Sequence, residues 1–384
     1  MINISAFKSL IPNVNIIEKV PTKTYTNYSK IEINKEIKNN PYSFLNIITQ
    51  NDTINKKKKF QKIRNQINSF KEKNIFISNN KKAIYIYRQS KQHTIYTGII
   101  CTISLKDYAE KRIKIHEKTI KKREVLFAEY LKQTKLYAEP VLIAHDGNLN
   151  QLINPHIEKT KVKLHDFLTN DGIQHEIWEI TDKKYISNII QFFQQTSSLY
   201  IADGHHRMAS SLINNKNGTC LAYIVSKNTL QTYPFHRLVS NIKNTDTIIT
   251  KINNLFKVKK IKSINKDSGN IQMYICNCWY EINIKNDNQD SVQNLLVSKL
   301  LNKILRPVFN IQDERNNKNV TFKPGNQDML KFTKKIKKNE ALFFMNTISL
   351  NTIIQIANNN QTTPPKSTFI LPKLPSGLIM TEIL

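Results

Sequence analysis

Apolar and polar positions along this chain fall into short segments that can be read one at a time. Ala83–Arg88 (Ala-Ile-Tyr-Ile-Tyr-Arg) and Ile95–Leu105 are rich in β-branched and aromatic residues and flank a polar turn. That pattern predicts a β-hairpin. Around Asn39–Ile48 a proline turn leads into an apolar run of strand character. Residues 53–73 read as a basic helix, and residues 1–40 as an irregular, polar, poorly defined segment. Between Lys106 and Lys135 there is no Gly or Pro, and Ile113, Val125, Leu126, Tyr130 and Leu131 fit one or two helices with a basic outer face. Val141–Ala144, Ile177–Ile180, Leu199–Ala202 and Cys220–Ser226 read as short strands. Helices are expected over Ile186–Phe193 and from His206 to Ile213, with residues 146–172 as loop carrying helical patches.

The last third alternates helices (about 246–256, 291–304 and 326–338) with strands (about 271–284 and 342–345), and ends in a proline-rich stretch. No repeat period is visible. Strands and helices interleave without a regular βαβ beat, so the expected class is mixed α/β, closer to α+β. The expected division is a segment 1–40, a core 41–240 and a C-terminal α/β region 241–384.

Composition narrows the function. The 58 Lys+Arg against 29 Asp+Glu give a net charge of +29, which invites a nucleic-acid reading. Only eight of the basic residues are arginine, and glycine is down to eight. Abundant Lys, Asn and Ile with scarce Gly and Arg is the usage an AT-rich genome imposes. The lysine doublets are dispersed, whereas a surface that tracks phosphates favours clustered arginine. The charge therefore reads as a solvated surface, with nucleic acid as the lesser reading. The longest purely apolar run, Cys220–Val225, is far short of the roughly 20 residues of a membrane span. With no secretory signal pattern and four cysteines in the chain, the expected location is cytoplasmic and no membrane partner is expected.

The segment richest in chemistry is Tyr200–Ser211, Tyr-Ile-Ala-Asp-Gly-His-His-Arg-Met-Ala-Ser-Ser. A strand ends on Asp203, Gly204 turns the chain, and a helix starts under His205, His206 and Arg207. Glycine permits positive φ and a close approach of ligand to backbone. The first free N–H groups of the helix, with the positive end of its dipole behind them, suit an anion. Arg207 can grip a phosphate in two places. Asp203 adds a carboxylate that can accept a proton or hold Mg²⁺. Phosphoryl transfer, which is mostly positioning and charge neutralisation, needs these parts. The plainer alternative is a capped helix with packed histidines.

Ile201–Arg207 resembles the signature of a bacterial and archaeal family, DUF1015, and other blocks agree in order. They are Asn40-Pro41-Tyr42-Ser43-Phe44-Leu45, Ile84–Tyr87 with Gly98, Asp107-Tyr108, His116-Glu117-x-Thr119 on an expected helix, His175-x-x-Trp178, and His236-Arg237. Asp313-x-Arg315 with Phe322 and Gly325, then Pro364-Pro365-Lys366-Ser367-Thr368, Pro372-Lys373 and Gly377, complete the set. The Asp-Gly-His-His-Arg turn is also similar to that of ParB/sulfiredoxin-like proteins, which include kinases for free serine. The resemblance implies a ParB/sulfiredoxin-like core with helical and C-terminal additions. It implies a small-molecule phosphotransferase that interconverts serine and phosphoserine, with ATP, ADP or pyrophosphate as donor and Mg²⁺ as cofactor.

On this reading Asp203 is base or metal ligand, and Gly204, His205, His206 and Arg207 bind phosphate. Glu117 is a second catalytic candidate, and His116, Arg237, Arg315, Lys366, Ser367 and Lys373 are substrate contacts. The blander reading of Glu117 is an exposed i,i+4 charge network, and Tyr85, Tyr87 and Trp178 read as core. The sequence departs from the family pattern in three places. Val20–Tyr25 lacks the acid of a Pro-Tyr-Asp block, Ile120 stands where Arg is expected, and Leu126-Phe127 replaces an Asp-Arg pair. Two rival readings follow: a ParB-like nucleotide- or nucleic-acid-binding protein, and a degenerate family member without catalysis.

Overall fold

The predicted hairpin is the spine of the larger sheet. In the computed structural model, which describes residues 1–50, 55–266, 268–285 and 291–383, Phe76–Lys91 pairs antiparallel with Thr94–Ser104. Lys91 faces Thr94 across a two-residue loop in which Gln92 takes φ 52°. Ile84, Tyr85, Ile86 and Tyr87 are all at most 1% exposed, so both faces of this ribbon are covered. The strand order runs Ile113–Lys114, Leu199–Asp203, Val141–His145, Thr219–Ser226, Thr94–Ser104, Phe76–Lys91, Gln174–Ile180, His165–Leu168. The pairs 199–203 with 113–114 and 219–226 with 141–145 are parallel and the rest antiparallel. Ile4–Ser5 and Phe7–Pro12 add to the hairpin strands, giving ten strands among the described residues. This is the mixed α/β class expected.

The core positions follow from side-chain size. Trp178, Tyr85, Tyr87, Tyr223 and Phe193 are among the fully buried large side chains, each removal from water being worth roughly 1.5–3 kcal/mol. His175 joins them, stacked between Tyr87 and Phe167, with Tyr87 Oη 2.7 Å from its Nδ1. Gln89 donates to the same phenol at 2.8 Å. Helix Lys56–Glu72 buries Phe60, Ile63, Ile67 and Phe70, a helical i, i+3, i+7, i+10 stripe, and Asn55 caps its start by accepting from Lys58 N. The first residues of the expected 53–73 helix lie outside the described residues.

Contacts divide the chain into two units. The first comprises residues 1–115, 119–230 and 372–384, and the second residues 116–118 and 231–371. The boundary expected at 240 thus falls at 230, because strand Gln231–Val239 pairs with the later strands Val320–Pro324, Ala341–Phe344 and Thr368–Leu371. Residues 1–40 are not a separate segment: they hold two strands of the first unit and helix Lys30–Asn39, which starts in a capping box between Ser29 and Glu32. Residues 372–384 rejoin the first unit, where Gly377 N donates to Ala138 O and Thr381 pairs with Tyr137. The second unit is an antiparallel sheet of seven strands among the described residues, ordered Lys257–Ile261, Cys278–Asn283, Ile271–Ile275, Ala341–Phe344, Gln231–Val239, Val320–Pro324, with Thr368–Leu371 on the central strand's start.

Several local expectations change. Residues 45–48 form a short helix, Leu45–Ile48, instead of a strand, because Phe44, Leu45 and Ile47 all turn into the core. His116–Ile120 is extended rather than helical, since Thr363 N and Oγ1 both donate to His116 O, at 2.7 and 3.0 Å. Helix Lys121–Thr134 buries Glu124, Ala128, Leu131 and Thr134, which leaves Val125 and Leu126 52% and 41% exposed. Residues 271–284 are two strands turning at Cys276-Asn277, both at positive φ. Of the helix expected at 326–338, Met329–Thr333 forms. No helix among the described residues is long and apolar enough to cross a membrane.

Candidate functional site

The turn after strand Leu199–Asp203 is built as its residue types require. Gly204 sits at φ 97°, a backbone setting that L side chains rarely adopt, and becomes the N-cap of helix His205–Asn214. A Cβ at Gly204 would lie 3.0 Å from Nε and Nη2 of Arg207, so the guanidinium lies directly across the turn. Arg207 is fixed in that pose from behind. Its Nη1 is 2.7 Å from Glu139 Oε1 and also donates to Pro140 O. Glu139 in turn accepts from Ser376 Oγ at 2.8 Å and from Thr24 Oγ1 at 3.4 Å. Thr24 belongs to the stretch Val20–Tyr25, in which Thr22 exchanges backbone bonds with Ser376.

Asp203 faces two cations. Lys373 Nζ lies 3.1 Å from its Oδ2, and Arg207 Nη2 lies 3.8 Å from the same oxygen. Desolvation works against the ionised form, but Lys373 and Arg207 outweigh it and hold the carboxyl well below the usual carboxylate range. Lys373, expected as a substrate contact, is thus the Asp203 partner in the first unit. His205 is buried at the helix start. His206, expected to cradle phosphate, uses its Nε2 to accept from Ile120 N at 3.0 Å. That bond satisfies an end N–H of helix Lys121–Thr134, which Ile120 cannot cap with its own side chain. Ile120 therefore takes part through its backbone.

The other candidates gather in the second unit. Arg315 Nη2 donates to Glu117 Oε1 and Lys118 O, both at 3.4 Å, so Glu117 pairs with a distant arginine rather than within a helix. His116 is 2% exposed and its Nε2 lies 3.4 Å from Thr368 Oγ1. Lys366, at φ 54°, holds its ammonium 5.1 Å from the Phe235 ring centre. Ser367 Oγ donates to Pro364 O at 2.6 Å, closing the turn on itself. Arg237 is fully buried. Its guanidinium meets Glu314 through Nε at 3.1 Å and Nη2 at 2.9 Å, Phe235 O at 2.6 Å and Pro365 O at 3.4 Å. The structure puts Arg237 under the Pro364-Pro365 stretch as a support, rather than at a surface where a substrate could meet it.

Residues 4–303 match the family described as protein of unknown function (DUF1015). The chain belongs to the DUF1015 family. No curated protein matches it. Among solved structures this DUF1015 chain is similar to a mutant free serine kinase in complex with ADP, at 11% identity over 76% of this chain and 95% of that one, TM-score 0.42. It is similar to SbnI with C-terminal truncation from Staphylococcus aureus at 9% identity over 71% and 82%, TM-score 0.42. It is also similar to a conserved hypothetical protein from Pyrococcus furiosus at 12% identity over 74% and 96%, TM-score 0.39.

Two acids of this DUF1015 chain escaped the sequence reading. Glu139 orients Arg207 from just before a strand, and Glu314 occupies the unspecified middle of Asp313-x-Arg315. The available signal was scarcity: in a chain with half as many acids as bases, an acid beside a motif arginine or proline stands out.

Proposed function

We propose that the Asp203 turn is a phosphoryl-transfer site that interconverts free serine and phosphoserine, with ATP, ADP or pyrophosphate as donor. The observation that carries this reading is a carboxylate at a helix N-terminus flanked by Lys373 at 3.1 Å and by an Arg207 braced from behind. An entering phosphate competes with Asp203 for those two cations and for the N–H groups of the first helical turn. As Lys373 and Arg207 turn to the phosphate, the field that depresses the Asp203 carboxyl weakens. The carboxylate then becomes a better proton acceptor at the moment a base is needed. In the forward step the serine hydroxyl oxygen bonds to the terminal phosphorus, the bond to the donor's leaving phosphate breaks, and the hydroxyl proton passes to Asp203.

Mg²⁺ supplies charge neutralisation on the phosphates when it is bound. Among the described residues no three His, Cys, Asp or Glu gather around one point, and Asp203 is a lone carboxylate beside two cations. That donor set does not suit a resident Mg²⁺, which fits here as a companion of the donor's phosphates. His205 and Gly204 belong to the phosphate cradle through their backbone. In the second unit, Arg237 and Ser367 act as loop supports.

A phosphorus-NMR assay tests the reading. Serine is offered with ATP, ADP or pyrophosphate, and phosphoserine with ADP, AMP or orthophosphate, all with Mg²⁺. New phosphoserine, or its donor-dependent loss, that disappears in Asp203→Asn is the expected result. Turnover unaffected by that substitution would remove Asp203 from the chemistry. Silence in every mixture from folded protein would discard serine as the substrate.

A further inference from the structure

Strand period two sends Arg237 to Glu314 and turns its neighbour His236 the other way. There, in the second unit, His236 lines an open cleft of about 540 Å³, within the range of small-molecule sites. The His236 ring stacks on Phe344 with centroids 4.3 Å apart, and Nδ1 accepts from Met345 N at 3.0 Å. With Nδ1 used as acceptor, the neutral ring carries its proton on Nε2. Burial, helped by Arg237, holds the ring neutral by lowering it to about 3. Nε2–H is buried in a side chain 1% exposed and has no hydrogen-bond partner. An unmet buried donor is unfavourable, so one at the wall of a cleft calls for an acceptor.

A second orphan stands at the same cleft. Asn346 donates through Nδ2 to Ser268 O, and its Oδ1 is a buried acceptor without a partner. The remaining walls include the flat or apolar surfaces of Tyr233, Pro234, Met329 and Phe344. Among the described residues the charged ones at the cleft are one cation and one anion, Lys266 and Asp328, and Asp328 is occupied in capping Leu330 and Lys331. The geometry points to a second small-molecule site in this cleft, for an uncharged, flat amide or lactam whose carbonyl accepts from His236 Nε2–H and whose N–H donates to Asn346 Oδ1. The lining mixes polar and apolar surfaces, and the balanced charge of its described residues favours neither an anion nor a cation. None of these residues belongs to the phosphoryl-transfer reading, and the proposal stands without it.

Two of the six methionines, Met329 and Met345, line the cleft and report on it. The full chain carrying ¹³C-methyl methionine is titrated with nicotinamide and, in parallel, with 3-methylpyridine, the same ring without the amide. Met→Leu variants assign the two signals. Saturable shifts of the Met329 and Met345 methyls by nicotinamide, at least ten-fold tighter than by 3-methylpyridine and at least ten-fold weakened in His236→Phe, are expected. No saturable shift, an equal response to both probes, or an unchanged affinity in His236→Phe overturns the proposal. Should His236→Phe fail to fold, Leu330→Trp serves instead. Leu330 is 52% exposed, so the larger ring blocks the cleft without disturbing the core. Ten-fold weaker nicotinamide binding there supports the site, and an unchanged affinity overturns it.

Discussion

Replacing Gly204 by alanine tests the construction of the Asp203 turn at its most constrained point. At φ 97° an L residue carries a backbone penalty of about 1–2 kcal/mol. The added methyl would also stand 3.0 Å from Nε and Nη2 and 3.1 Å from Cζ of Arg207. That is tighter than ordinary packing, so the guanidinium must give way by a few tenths of an ångström. It has little room to do so without stretching its 2.7 Å pairing with Glu139. For a unit of this size each kcal/mol lowers the melting temperature by about 2–4 °C, so a drop of roughly 2–8 °C is expected. The functional loss should be larger than the stability loss implies, because misplacing a positioning group by a fraction of an ångström costs about ten-fold or more in rate. Calorimetry and the phosphorus-NMR assay are run on the same preparations, with Gly204→Asn as a comparison because asparagine tolerates positive φ better. Gly204→Ala protein that melts within 1 °C of the parent and turns over at full rate would refute this account of the turn.

Three further outcomes are expected. Arg237→Met or Glu314→Leu alone should cost about 3–5 kcal/mol in denaturant unfolding, because each strands a buried charge, while the double variant should recover most of the loss; equal costs for single and double variants would count against the pair. His175, lowered to about 4 mainly by burial, is neutral in the fold while the unfolded chain takes up its proton near 6.5. Its contribution is therefore complete above 6.5 and lost as pH falls towards 4, and His175→Gln should flatten melting temperature against pH across that window. The Asp203 carboxyl is depressed by Lys373 and Arg207, so its stabilisation is present above the ordinary carboxylate range and lost as pH falls below it. Lys373→Met should shrink the difference in melting temperature between pH 7 and pH 3, and an unchanged difference would show that the pairing adds nothing.

What the sequence disclosed is local. The hairpin and the Asp203 turn are written in contiguous residues, so pattern and residue type suffice to place them. His116–Ile120 could not be read correctly, because its extended form depends on Thr363, and local propensity yields to a tertiary bond. Val125 and Leu126 misled for a related reason: helix Lys121–Thr134 is phased by Ala128 and Leu131, with the acid Glu124 on the buried side. The anchoring roles of Glu139 and Glu314 depend on partners 68 and 77 positions away, a separation that no spacing rule covers. His206 and Arg237 were read by residue type as ligand contacts, and the fold commits them to Ile120 and Glu314.

The first unit is discontinuous, and translation gives that arrangement a direction in time. Asp203, Gly204 and Arg207 leave the ribosome before any of residues 231–371, whereas Lys373 and the Ser376 that braces Glu139 leave after all of them. A nascent chain therefore carries the aspartate turn without its lysine partner until the whole second unit has been made. A stop codon between residues 231 and 371 leaves the aspartate turn without Lys373. The pairing of Asp203 with Lys373 acts as a record that the intervening residues were synthesised, and only a chain that has passed through all of them can assemble the charge balance of the turn.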